Sequence, residues 1–225
     1  QNDQGIAITS DGFGFMTAVG RQTTGQGQSE YWLSRCDPQG QLLWAFTDDA
    51  PISGSAIAEA TGGDFVVAGS INQGNQNAWV TRYDSSGNTI WTRVYEGDDG
   101  GLDTASGVAV DSAGNIITVG RTFSDTQSFN AFILKYGPDG LPKWGITHDG
   151  PVSGLDWANA VAVDPVDDNI VVVGREAQGD ASKTDAWLAR YDPDGNLIWQ
   201  TLHAGAAGET DLANGVAIDP NGHIV

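Results

Sequence analysis

In residues 186–191, A-W-L-A-R-Y, the side chains of an extended chain fall on two faces: Trp187, Ala189 and Tyr191 on one, Ala186, Leu188 and Arg190 on the other. A polar turn centred on Pro193-Asp194-Gly195 follows, then a returning apolar run that ends at Trp199. Residues 186–199, A-W-L-A-R-Y-D-P-D-G-N-L-I-W, therefore read as one β-hairpin. The same pattern occurs three more times, at 31–44 (Y-W-L-S-R-C-D-P-Q-G-Q-L-L-W), 78–91 (A-W-V-T-R-Y-D-S-S-G-N-T-I-W) and 131–144 (A-F-I-L-K-Y-G-P-D-G-L-P-K-W). A second type of hairpin precedes each copy, at 5–20, 55–69, 106–120 and 159–174. A further copy opens near residue 214 and stops within its second strand. No stretch holds a helical period, so helix content should be close to nil.

Two landmarks fix the repeat length. Trp44, Trp91, Trp144 and Trp199 are separated by 47, 53 and 55 residues, and Gly20, Gly69, Gly120 and Gly174 by 49, 51 and 54. Each unit holds four short strands, A to D in order. A period of ~40–55 residues with four strands is the signature of β-propeller blades. The expectation is a single all-β propeller over 1–225, with four complete antiparallel blades at about 5–48, 55–96, 105–149 and 158–204 and an incomplete fifth at 212–225. The first blade already has four strands, so none is left over to complete the fifth. The chain is therefore expected to be a segment of a six- to eight-bladed propeller, with blade edges open to self-association.

The pattern G-V-A-V-D-x-x-G-N-I-x-x-V-G, a variable loop, then D-A-W-L-A-R-Y-D-P-D-G-N-L-I-W resembles the bacterial β-propeller repeat called SBBP. The resemblance covers essentially the whole chain. The closing D-x-x-G-x-x-x-W (Asp37-Gly40-Trp44, Asp84-Gly87-Trp91, Asp192-Gly195-Trp199) is also similar to the tryptophan-docking motif of quinoprotein propellers; residues 137–144 depart from it, with Gly137 in place of Asp. The resemblance implies a propeller in an exported, surface or periplasmic bacterial protein. It implies no reaction, because the repeat is a structural unit.

Composition narrows the partners. A net charge of −19 on 225 residues disfavours nucleic acid and anionic membrane surfaces. Cys36 is the one cysteine, so no internal disulfide is expected, and no apolar run reaches the ~20 residues of a membrane helix. The chain has neither a signal peptide nor an initiator Met, so Gln1 reads as a processed or cropped start.

Seven of the eight tryptophans fall at two repeat positions, which points to packing between blades. Trp157 falls outside both and is the aromatic expected to be exposed. Cys36 replaces a repeated tyrosine (Tyr83, Tyr136, Tyr191) and reads as a smaller core residue. His148 and His203 occupy equivalent places after the closing tryptophan, too far apart to share a metal, and His223 has no assignable role. The turns at 111–115, 192–196 and 219–223 lack the spacing of EF-type calcium loops and read as tight-turn chemistry.

The connections between blades carry the remaining candidates. Asp103, Asp156 and Asp211 stand at equivalent positions before strand A, amid Glu96, Asp98, Asp99, Asp149 and Glu209. Arg21, Arg121 and Arg175 follow the glycine that closes strand B, where the second blade has Ser70. A four-strand meander puts both groups on one face, with the long Gln/Asn/Ser/Thr-rich loops. They read first as structural ion pairs and loop caps; calcium held by spare carboxylates, or a ligand at Trp157 and the arginines, are the functional alternatives.

No general base, nucleophile or metal cluster breaks the repeat, so no catalytic residue is assigned. The leading expectation is a non-enzymatic binding or scaffold module, engaging a protein or glycan through its long-loop face. A structural subunit of an extracellular assembly and a propeller-type enzyme, such as a quinoprotein dehydrogenase or polysaccharide lyase, are the alternatives.

Overall fold

The computed structural model describes residues 3–23, 29–48, 52–97, 100–124, 128–205 and 208–225. Its sixteen strands form four four-stranded antiparallel sheets, each a simple meander. The first blade is β1 (Gln4–Ser10), β2 (Met16–Thr23), β3 (Ser29–Cys36) and β4 (Leu42–Asp48). The second is β5 (Ile52–Glu59), β6 (Phe65–Asn72), β7 (Gln76–Tyr83) and β8 (Thr89–Tyr95). The third is β9 (Thr104–Val110), β10 (Ile116–Ser124), β11 (Ser128–Tyr136) and β12 (Pro142–His148). The fourth is β13 (Trp157–Val163), β14 (Ile170–Gln178), β15 (Asp180–Tyr191) and β16 (Leu197–His203). The one helical element among the described residues is a single 3₁₀ turn at Thr61–Gly63. Beyond the fourth blade, Ala217 and Val225 exchange backbone hydrogen bonds around a turn at Asp219–Gly222, a short hairpin in the repeat's first-turn position.

The hydrophobic cores lie between blades, and the period of two explains why. In β6, Phe65 and Val67 face the first blade with Val19 and Leu33. Val66 and Ala68, one step on, face the third with Ile116 and Phe132. The third and fourth blades meet the same way through Ile117, Val119, Val172 and Trp187. Both faces of a strand are buried, as in any sheet covered on both sides. Strands β1, β5, β9 and β13 pack against one another in succession, so strand A is the inner strand of each blade.

The glycine closing strand B sits at a close approach. Each strand A is bulged near its start, and a Cβ on Gly20, Gly69, Gly120 or Gly174 would lie 2.2, 1.9, 2.0 or 1.8 Å from the carbonyl oxygen of Gln4, Ser53, Thr104 or Trp157. No side chain fits there.

The tryptophan closing each blade docks on the C–D turn of the next. Trp44, Trp91 and Trp144 donate their indole N–H to the carbonyls of Ser85, Pro138 and Pro193 at 3.1, 2.9 and 3.1 Å. Gly87, Gly140 and Gly195 in those turns have positive φ and lie against the incoming ring, where a Cβ would stand 3.4, 2.7 and 3.0 Å from it. The glycine and tryptophan of D-x-x-G-x-x-x-W thus serve different interfaces: the glycine receives the preceding blade and the tryptophan engages the following one. Gly137, where the motif departs, does not disturb this, since its N–H still closes the turn on Leu141 O at 2.8 Å and Asp139 accepts from Leu141 N. On the fourth blade Trp199 has no such partner among the described residues and is 36% exposed, against 8% for Trp91. Leu197, Ile198 and Leu202 beside it are exposed as well.

Candidate functional site

Charged residues divide between the two ends of the blades. At the A–B and C–D turns, the strand C residue before the repeated tyrosine or Cys36 is always basic, and each pairs with an aspartate of the A–B turn. Arg35 pairs with Asp11, Arg82 with Asp64 at 2.8 Å, Lys135 with Asp111 at 2.9 Å and Arg190 with Asp164 at 2.6 Å. Arg82 and Lys135 also reach the carbonyls of Pro138 and Pro193, the ones that receive the docked tryptophans. These pairs are structural, and they are not on the face where ion pairs were expected. Their signal in the sequence is Arg or Lys at one strand C position in all four copies.

The turn aspartates Asp11, Asp37, Asp84, Asp111, Asp192 and Asp219 each accept two backbone N–H groups from residues two and four places on. The turn reading of these segments is therefore explained by their own hydrogen bonds.

At the opposite end, Asp103, Asp156 and Asp211 cap loops. Asp103 accepts from Gly97 N (2.8 Å), Thr122 Oγ1 (2.7 Å) and Phe123 N (3.2 Å). Asp156 accepts from Gly150 N (2.9 Å) and Ala177 N (2.7 Å), and Asp211 from Gly205 N (2.5 Å). Their own N–H groups donate to the carbonyls of Gln76, Phe129 and Thr184 near the start of strand C. Burial pushes the Asp156 carboxyl above the usual range, against the pull of its two backbone donors. No group of three or more metal-ligating side chains occurs among the described residues. Asp98 and Asp99 lie outside those residues.

The arginines of this face behave differently from the aspartates. Arg21, Arg121 and Arg175 form no ion pair among the described residues. Arg21 is exposed in the first blade. Arg121 and Arg175 converge on Trp157, with their Cζ atoms 4.1 and 3.3 Å from the ring centroid. Carbon atoms pack no closer than ~3.5 Å, so two guanidinium groups at these distances cannot share one face of the ring. The indole lies between them. Phe129 completes the group, edge-on to Trp157 at 6.0 Å and 5.3 Å from Arg121.

The register of the chain builds this cluster. Trp157 opens β13 directly opposite Arg175 in β14. The connection before it is tied to the third blade by a bridge between Phe129 and Leu155 and by Asp156 N donating to Phe129 O at 2.8 Å. That tie brings Trp157 against Arg121 in β10. Trp157 is accordingly half-buried, not exposed as its place in a connection had implied. The cluster is also specific to this junction. Strand pairing makes Ser70, Gln76 and Thr104 the equivalents of Arg121, Phe129 and Trp157 one blade earlier. There, these three places are neutral and polar, with Gln76 bonded to Thr104 at 2.7 Å, while Arg121 itself, opposite Thr104, holds the place of Arg175.

Its electrostatics are unfavourable as it stands. Arg121 Nε, Arg175 Nε and Trp157 Nε1 are buried without hydrogen-bond partners. Burial lowers the pKa of both guanidinium groups, and the charge of Arg121 lowers that of Arg175 further, with Asp156 acting in the opposite direction.

The sequence reading had no signal for one further pair. His148 Nε2 lies 2.6 Å from Glu176 Oε2, and its ring stacks on Trp187 with centroids 4.4 Å apart and planes at 9°. His203, its equivalent in the fourth blade, is exposed, and Cys36 is half-buried and free. The larger clefts lie at the turn end; one of about 420 Å³ is lined by Lys135, Trp144 and Pro193, whose polar groups already serve the docking contacts.

No family model matches the chain, and no curated protein matches it. No helix among the described residues is long and apolar enough to cross a membrane. Solved structures of similar fold include a protein of unknown function from Bacteroides caccae, with TM-score 0.58 and 10% identity over 98% of this chain and 69% of that one. A glucose dehydrogenase gives 0.54 and 14% over 99% and 77%. The β-propeller domain of the Trilobed protease from Pyrococcus furiosus, described as having an open velcro topology, gives 0.50 and 8% over 91% and 58%. The chain spans well under two thirds of that last structure. At these identities the likeness concerns fold alone: four antiparallel four-stranded blades in an all-β propeller.

Proposed function

We propose that this chain is a non-enzymatic binding module that engages a protein or glycan through its long-loop face, at the junction of the third and fourth blades. The observation that carries the reading is the Arg121–Trp157–Arg175 cluster. Elsewhere the strand C cations pair with turn aspartates and Trp44, Trp91 and Trp144 are docked, in arrangements that recur from blade to blade. Here Arg121 and Trp157 stand where the preceding junction has Ser70 and Thr104, and Arg175 brings a second cation against the same ring; neither arginine has an ion-pair partner among the described residues. Groups held at a cost in stability are expected at binding sites. The SBBP-type repeat pattern supports a place on the bacterial exterior. A glycan array and a panel of surface proteins, probed with the wild-type chain and with Trp157→Ala, test the reading. Binding that Trp157→Ala abolishes supports it; binding that Trp157→Ala leaves intact contradicts it.

A second reading rests on Leu197, Ile198, Trp199 and Leu202, exposed on β16. In it, the fourth blade packs against a further blade of a six- to eight-bladed ring or against a neighbouring copy. Sedimentation of the wild-type chain and of Trp199→Ser distinguishes the readings, since only association through this face would be lost in the variant.

A further inference from the structure

We propose that Arg121 and Arg175 form an oxyanion site whose ligand presents a single carboxylate, with Trp157 as the wedge that holds the two guanidinium groups apart. The inference rests on the binding-module reading and names the chemistry that its site would accept.

Trp157 is not a stacking platform, because guanidinium groups already occupy both faces of its ring. A neutral sugar has no free aromatic face to lie on there. What remains accessible is the outer ends of the arginines. Their Nε atoms are buried, whereas both residues are only half-buried overall, and neither guanidinium group forms a hydrogen bond among the described residues. Each arginine thus offers Nη donors at the surface. The two Cζ atoms are no more than about 7.4 Å apart, the sum of the 3.3 and 4.1 Å centroid distances. A carboxylate over the edge of the indole, accepting at ~2.8 Å from an Nη on each side, spans that gap.

Charge restricts the ligand further. The chain carries −19 overall, and the buried carboxyl of Asp156 lies close enough to act on Arg175. A dense polyanion would meet that field across its length, whereas one carboxylate is matched by the two local cations. Binding would also relieve the repulsion between the arginines, which no ion pair among the described residues now offsets.

Titration of the ¹⁵N-labelled protein at low ionic strength with sodium glucuronate, N-acetylglycinate and glucose tests the proposal. The readouts are the Trp157 indole N–H and the Arg121 and Arg175 Nε–H resonances. Both carboxylates are expected to give saturable shifts with Kd tighter than about 10 mM, and glucose none. A response to glucuronate alone also supports the site and identifies a uronic acid as ligand. In Arg121→Gln and Arg175→Gln the affinity should fall at least tenfold, while Lys143→Gln, a charge-matched change on the outer strand of the third blade, should leave it intact. No saturable shift with either carboxylate, or an equal response to glucose, overturns the proposal using the wild-type protein alone. If a partner binds the long-loop face and Arg121→Gln leaves that binding unchanged, the binding-module reading stands and this inference fails.

Discussion

Trp144 donates its indole N–H to the carbonyl oxygen of Pro193 in the next blade at 3.1 Å, and Lys135 donates to the same oxygen at 2.9 Å. One peptide group of the following blade thus receives both the aromatic anchor and the cation of the preceding one. Trp91 and Arg82 converge on Pro138 in the same way, at 2.9 Å each. The blades are therefore joined at their outer rims by a repeated polar lock as well as by the apolar cores nearer the axis.

The lock predicts a graded response among equivalent tryptophans. Trp91→Ala should cost ~3–5 kcal/mol, the range for truncating a buried aromatic residue. Trp199→Ala, at an indole 36% exposed and without a docking turn, should stay within about 0.5–1 kcal/mol. Urea denaturation of the two variants measures the difference; equal losses would contradict the docking account.

Lys135 and Asp111 are 4% and 3% exposed at their side chains. Lys135→Met leaves Asp111 buried without its cation and should cost ~3–5 kcal/mol. Burial raises the pKa of Asp111, but hydrogen bonds from Lys135 and Asn115 outweigh it and leave the value lowered. A lowered folded-state pKa gives stability that is present above the unfolded value of ~3.9 and lost as pH falls through the folded one. Wild-type stability should therefore fall below about pH 4, and the fall should be shallower in Lys135→Met when unfolding is followed against pH.

At the alkaline end the sign reverses. Burial raises the hydroxyl pKa of Tyr31, and raises those of Tyr83 and Tyr191 to about 12. Each contributes stability that is complete below the unfolded value of ~10 and lost as pH rises towards the folded one. Unfolding midpoints should decline steadily above about pH 10, and tyrosinate absorbance should rise together with unfolding. Full ionisation of the tyrosines near pH 10 with the fold intact would contradict this.

Gly174→Ala places a Cβ 1.8 Å from the carbonyl oxygen of Trp157. The strands must separate to admit it, at about 4 kcal/mol or more. Because that carbonyl belongs to the residue at the centre of the arginine cluster, the Trp157 indole resonance should shift in the same variant. An unshifted resonance in a destabilised protein would separate the bulge from the site.

Much of the fold was legible because a repeat reports the same constraint several times. The tryptophans and glycines recur at fixed positions, and each proves to mark a contact between strands or blades. The buried ion pairs were equally present in the sequence, as Arg35, Arg82, Lys135 and Arg190 at one position. The long-loop face was only partly legible. Asp103, Asp156 and Asp211 cap loops, as one half of the structural reading held, but Arg121 and Arg175 do not pair with them. The convergence of Arg121, Trp157 and Arg175 depends on the strand register that sets Trp157 opposite Arg175 and on the Phe129–Leu155 bridge. Neither follows from spacing along the chain, because the connection from 149 to 156 could have carried Trp157 outwards.

The central claim is that repeated residues build the blades while the third-to-fourth junction holds charge for a ligand. The denaturant midpoint of the Arg121→Met, Arg175→Met double variant tests it most directly. Methionine keeps much of the apolar packing on Trp157 and removes two half-buried charges that form no ion pair among the described residues. If the arginines are held for binding, the double variant should be as stable as the wild type or more so, by up to about 2 kcal/mol. A loss of more than about 2 kcal/mol would show that the arginines are part of the scaffold and would contradict the account.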